Sequence, residues 1–223
     1  MHILMVAAEN GALRGGKVGG MGDVIRDVPV ALSRLGHQVS VICPGYQTLV
    51  RDNACTALGE MALNFCGRRE TLTVYRIKDN KTQTQHLLLE HPLFSACGAG
   101  QIYCNDQYGP FATDAHKFAL FCAAVCECLI DQRQLLGRPD VIHLHDWHAA
   151  LVAVLRQYDS RFQSLKKIHT VYTIHNLSLQ GIRPLHGDDS SLFSWFPDLT
   201  PDSSLINDPR YPDCVNLMRC GLN

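Results

Sequence analysis

Ile3-Leu4-Met5-Val6-Ala7-Ala8, then a run of glycines from Gly11 to Gly22, then Asp23 to Leu35 and Gln38 to Cys43, is the stretch that decides the fold. The first segment is short and continuously apolar, the pattern of a parallel strand buried on both faces. In the third, Val24, Val28, Ala31, Leu32 and Leu35 recur at helical spacing, and Gly36 closes the helix. Gln38 to Cys43 is a second strand, ended by Pro44-Gly45. Strand, glycine loop, helix and strand in succession form the opening unit of a doubly wound α/β fold.

The pattern continues outward. Ala62–Phe65, Leu72–Ile77 and His86–Leu89 are further strand candidates, and 93–109 is a loop with glycine and cysteine. Residues 112–134 form a long buried helix, broken by Pro139. Val141 to His145 is a strand, His148 to Tyr158 a helix, and Thr170 to Ile174 a strand rich in β-branched residues. Gly181 to Pro212 is loops and short helices, and Val215 to Leu222 begins a helix. Alternation of this kind predicts an α/β, Rossmann-like, doubly wound and mainly parallel sheet, with ligands beyond the C-terminal strand ends.

Composition narrows the function. The 223 residues suffice for one well-packed domain. A net charge of -1 offers no field for nucleic acid, and no apolar run is long enough for a membrane span. The N-terminal apolar run lacks a basic flank and a cleavage site, so it reads as a strand rather than a signal sequence. The ten cysteines are scattered and several lie in apolar runs, so they read as reduced, buried thiols in the cytoplasm.

Three motifs fall at strand ends. In Lys17-Val18-Gly19-Gly20-Met21-Gly22-Asp23, glycines allow close backbone approach and a helix N-terminus with Lys17 favours an anion. Asp23 is either a helix cap or a sugar ligand. The motif is neither G-x-G-x-x-G nor a Walker loop. The second, His143-Leu144-His145-Asp146-Trp147-His148, offers either metal ligands or a polar sugar-binding strand end with Trp147 as packing surface. Its H-x-H-D-x-H order misses the metallo-β-lactamase pattern. The third, Thr173-Ile174-His175-Asn176-Leu177-Ser178-Leu179-Gln180-Gly181, delivers His175 and Asn176 from a rigid strand.

Together, in order and spacing, these motifs resemble the N-terminal domain of bacterial glycogen synthases and plant starch synthases. That family carries K-x-G-G-L-x-D, H-x-H-D-W-H and T-x-H-N-L-x-x-Q-G; this chain has Met21 for the leucine. Cys43-Pro44-Gly45-Tyr46 is similar to its P-x-Y. Phe111 to Phe118 is similar to its Y-x-D-N-x-x-R-F, with Phe111 for the sugar-contacting tyrosine, Thr113-Asp114 for Asp-Asn and Lys117 for arginine. Leu217 to Leu222 resembles F-x-K-x-G-L.

The resemblance implies the N-terminal, acceptor-side half of a GT-B glycosyltransferase, spanning 1–223, with the nucleotide-binding domain absent. It implies retaining transfer of glucose from ADP-glucose or UDP-glucose to an α-1,4-glucan, without metal or other cofactor. Asp23, Asp146 and His175 would orient the transferred glucose as the catalytic set. Lys17, Gly19, Gly20, Asn176, Trp147 and Phe111 would bind substrate. Two other readings stand beside it: a non-catalytic glucan-binding or regulatory module, and a metallohydrolase built on the histidines.

Overall fold

The computed structural model describes residues 1–78, 84–106, 111–131 and 135–223. Its centre is a seven-stranded sheet. In chain order, β1 is His2–Val6, α1 Gly20–Arg34, β2 Gln38–Pro44, α2 Thr48–Asp52, β3 Thr56–Phe65, β4 Arg68–Lys78 and β5 Gln85–Glu90. Then follow α3 Ala112–Ile130, β6 Val141–His145, α4 Trp147–Tyr158 and β7 His169–Thr173. A C-terminal region adds β8 Ile182–Pro184, α5 Leu192–Trp195, α6 Ser203–Ile206, β9 Cys214–Asn216 and α7 Leu217–Leu222.

The strand order is β3-β4-β5-β2-β1-β6-β7. The run β5-β2-β1-β6-β7 is parallel, as expected of the mainly parallel Rossmann-like sheet. Strand β1 is apolar throughout its inner length because it lies between β2 and β6 under helices, with Leu4, Met5 and Val6 fully buried. After β1 the chain winds towards β2 and β5, then returns to β6 on the other side. Order reverses at β1/β6, and such a switch point opens a crevice for ligands at the carboxyl ends of the strands.

Several boundaries differ from expectation. The strand candidates at 62–65, 72–77 and 86–89 are longer and form the antiparallel meander β3-β4-β5 that extends the sheet at one edge. Helix α1 begins at Gly20, with Gly19 as its cap, so Asp23 lies in the first turn rather than capping it. Helix α3 ends at Ile130; its expected extension through 132–134, like residues 107–109 of the expected loop, lies outside the described residues. The final segment is split: Cys214–Asn216 pairs with Ile182–Pro184 before α7 starts.

The cysteine reading needs one correction. Cys43, Cys122, Cys126, Cys128 and Cys220 are buried thiols, but Cys97 and Cys104 form a disulfide. They are close in sequence and sit in a loop without apolar periodicity, so nothing in their local pattern marked a pair. Among the described residues, no helix is long and apolar enough to cross a membrane.

Candidate active site

Ends of β1, β6 and β7, the start of α1 and the loop around Tyr103 surround a pocket of about 700 Å³. Gly19, Gly20, Phe111, Asp146, Trp147, His175 and Asn176, all expected on sequence grounds, line it. Lys17 and Asp23 are not part of that lining. Lys17 Nζ instead donates to both carboxylate oxygens of Asp23, at 2.7 and 2.6 Å, and Arg26 reaches Asp23 at 2.9 Å. These cations hold the Asp23 carboxyl below its ordinary pKa, the Lys17 hydrogen bond foremost.

Asp146 anchors the strand-end wall. It follows β6 directly with φ 56°, an uncommon conformation for a non-glycine residue. Its Oδ1 accepts the backbone N–H of His175 at 2.7 Å and that of Asn176 at 3.4 Å. One buried carboxylate therefore sets the direction in which the chain leaves β7. Burial raises the Asp146 pKa, and the two N–H groups oppose the rise.

The histidines form a stack. His143 and His145 rings lie 4.1 Å apart, and His145 and His175 stack at 5.2 Å. His145 Nδ1 meets His175 Nε2 at 2.9 Å, and His143 Nε2 meets Thr173 Oγ1 at 2.7 Å. One nitrogen of each ring is thus engaged, with another ring or with a hydroxyl. Among the described residues no three His, Cys, Asp or Glu side chains are grouped to hold a metal ion. Burial lowers the pKa of His145 to about 2 and that of His148 to about 3, so both are neutral at pH 7. His148 Nδ1 and Trp147 Nε1 are buried without a hydrogen-bond partner among the described residues.

Trp147 is almost wholly buried. Its ring packs on Phe111 at 5.3 Å and edge-on to Phe118 at 5.8 Å. On its other side Gly181 comes so close that a Cβ there would meet the ring at 2.4 Å, and φ +62° also favours glycine. Trp147 is therefore the packed back wall rather than an open platform.

Two site residues escaped the sequence reading. Glu9, buried just past β1, accepts the N–H groups of Val18 and Gly19 at 2.8 Å each and the Tyr103 hydroxyl at 2.8 Å. Part of the anion seat expected at the glycine loop is thus filled by the protein's own carboxylate. Among the described residues no side chain caps α1, and the N-terminal residues Gly20 and Met21 line the pocket. Glu9 carried a signal, a lone acid after a buried strand. Tyr103 carried none, because its partner lies 94 residues away in sequence.

Comparison with known proteins bears on this arrangement. Residues 2–223 match the family model of the starch synthase catalytic domain. The chain belongs to that family. It is 37% identical to a glycogen synthase of Hydrogenobaculum over 182 residues, covering 82% of this chain and 35% of that protein. It is 33% identical to a glycogen synthase of Streptococcus gordonii, covering 100% of this chain and 43% of that protein. The catalytic domain of starch synthase IV from Arabidopsis thaliana, solved bound to ADP and acarbose, superposes with a TM-score of 0.75 at 26% identity. That match covers 99% of this chain and 43% of the other. The chain thus spans well under half the length of these relatives. The α/β sheet is that of a GT-B glycosyltransferase domain.

Proposed function

We propose that the chain is the acceptor-side domain of a glycogen or starch synthase. In this reading the complete enzyme transfers glucose, with retention, from ADP-glucose or UDP-glucose to the non-reducing end of an α-1,4-glucan. The observation that carries it is the convergence of Asp146, His175, Asn176, Glu9 and the α1 N-terminus on one pocket at the β1/β6 switch point. Family membership and the relatives' names point the same way.

The pocket suits a sugar. Trp147, Phe111 and Met21 supply apolar surface, while carboxylates, imidazoles and an amide supply hydrogen bonds. His145 is neutral, and its buried Nε2 has no hydrogen-bond partner among the described residues. The tautomer protonated at Nδ1 makes that Nε2 a bare acceptor and lets Nδ1 donate to His175 Nε2. The other nitrogen of His175 then carries the ring proton, and the residue lines the pocket. Asp146 holds the His175 backbone, and its own carboxylate, which lines the pocket, supplies the negative charge that stabilises positive charge developing as the glycosidic bond to the nucleotide breaks. The first-turn N–H groups of α1 face the leaving diphosphate, with Lys17 at the rim. Asp23 reaches the sugar only once its ion pair with Lys17 opens.

A second domain completes the donor pocket in this reading, and the protein works in the cytoplasm. The test compares this chain alone with its full-length parent, assaying glucose transfer from ADP-glucose or UDP-glucose to glycogen. The parent is expected to turn over with retention at the anomeric carbon, and the isolated chain is expected to be inactive. Inversion, or turnover by this chain alone at about 1 per second or faster, contradicts the proposal.

A further inference from the structure

Of the ten cysteines, Cys97 and Cys104 are joined and the other eight are free. Burial alone does not explain the choice. Cys55, Cys66 and Cys214 are half-buried, like the joined pair, and stay single. In a reducing compartment such as the one proposed above, a disulfide forms and breaks with redox state rather than persisting as a structural staple.

The position of this bond gives it reach. It closes the turns of residues 97–104, and Tyr103 and Cys104 line the reaction pocket. The Tyr103 hydroxyl donates to Glu9 Oε1 at 2.8 Å, and Glu9 Oε2 accepts the Val18 and Gly19 N–H groups at 2.8 Å each. Glu9 alone therefore separates the disulfide-closed loop from the glycine loop. Two backbone ties hold the loop besides the bond: Gly100 N–H to Tyr46 O at 2.9 Å and Cys104 N–H to Asp114 at 3.1 Å. Opening the bond loosens the loop and leaves it attached.

The surroundings also select which sulfur leaves. Lys117 Nζ lies 3.6 Å from Cys104 Sγ. A nearby ammonium favours thiolate, and the sulfur that better carries negative charge leaves faster in exchange. The thiolate of a dithiol reductant attacks Cys97 Sγ and forms a mixed disulfide there. The Cys97–Cys104 bond breaks, and its electron pair goes to Cys104 Sγ beside Lys117. The second thiolate of the reductant then attacks the reductant's own sulfur in the mixed disulfide and releases Cys97. The protein sulfurs take up the two protons that the reductant thiols gave up. The dithiol ends as a disulfide, oxidised by two electrons, and the protein pair ends as two thiols.

We propose that Cys97–Cys104 is a thiol–disulfide exchange site that sets the order of the reaction pocket. Oxidised, it holds Tyr103 on Glu9 and so holds the glycine loop. Reduced by a dithiol, it lets Tyr103 leave Glu9, and the glycine loop loses a tie. The consequence for glucose transfer rests on the function proposed above; the exchange site itself does not.

Amide hydrogen exchange of this chain, with and without dithiothreitol, tests it, while alkylation and mass spectrometry report which cysteines are free. Dithiothreitol is expected to free Cys97 and Cys104 with the domain still folded, and to speed exchange at the Val18 and Gly19 amides about tenfold. Cys97→Ser is expected to exchange like the reduced chain and to ignore dithiothreitol. Tyr103→Phe is expected to lose the same protection with the bond intact. In the full-length parent, dithiothreitol is expected to raise KM for the nucleotide sugar, and Cys97→Ser is expected to abolish that response. A bond that survives excess dithiothreitol, a domain that unfolds on reduction, or equal exchange at Val18 and Gly19 in both redox states overturns the site and leaves the functional reading standing. Faster exchange on reduction in a chain whose parent transfers no glucose supports the site and sinks that reading.

Discussion

Two lysine–aspartate pairs in this domain have nearly the same length and opposite surroundings. Lys17 and Asp23 meet at 2.6 Å on the glycine loop, with side chains 44% and 38% exposed. Lys117 and Asp114 meet at 2.7 Å in the pocket wall, 1% and 6% exposed. At the rim, water screens the attraction, and separating the pair costs little. In the wall, both charges have been taken out of water. Burial pushes Asp114 up and Lys117 down in pKa, against their mutual attraction. Two backbone contacts complete the buried pair: Lys117 Nζ donates to Ile102 O at 2.6 Å, and Asp114 accepts Cys104 N–H at 3.1 Å. The rim pair can open for a substrate; the wall pair holds the loop that carries Tyr103.

Breaking the wall pair is expected to have the largest effect on stability. Asp114→Ala strands the Lys117 ammonium and should cost about 3–5 kcal/mol in chemical denaturation. A loss below 1 kcal/mol would mean that the pair is hydrated in solution. Lys117→Met, which removes the charge and keeps the bulk, should be tolerated better with Asp114→Asn than alone.

The pocket's histidines sharpen the contrast through pH. Their folded pKa values, about 2 for His145 and about 3 for His148, lie below the unfolded value near 6.5. Their neutral forms therefore contribute full stability above about pH 6.5, lost as pH falls towards the folded values. The slope is about 1.4 kcal/mol per pH unit for each histidine. Denaturation between pH 6.5 and 4.5 should show it, and His148→Phe should remove one histidine's share. An unchanged slope in that variant would place His148 in contact with water.

At the rim the smallest effect on stability is expected. Lys17→Ala and Asp23→Ala should leave the melting temperature of this chain unchanged. In the full-length parent, Lys17→Ala should act mainly on KM, because its partner is already bound in the ground state. A large drop in melting temperature for either variant would move this pair into the structural class.

Legibility in the sequence follows the same division. Strands β1, β2, β6 and β7 are continuous apolar runs, and a two-face burial leaves that signature locally. Asp146, His175 and Asn176 follow such strands closely, so their place at the strand ends was legible, while their choice as site residues came from the family resemblance. The meander β3-β4-β5 was only partly legible, since an edge with exposed positions such as Thr56 and Asn64 weakens the pattern. Glu9–Tyr103 and Cys97–Cys104 depend on loop closure that no periodicity records. Asp23 carries the same charge as Asp146 in the sequence. Exposure and their partners separate them: Lys17 and Arg26 for Asp23, the N–H groups of His175 and Asn176 for Asp146.

Steady-state kinetics of His175→Ala in the full-length parent test the central claim most directly. The claim is that the strand-end wall acts on the reacting sugar. The account predicts that kcat falls by about 10²–10³, or about 2.7–4 kcal/mol, with KM for the nucleotide sugar little changed and the circular dichroism spectrum retained. Wild-type kcat with a raised KM alone would contradict it and leave His175 as a packing residue of the histidine stack.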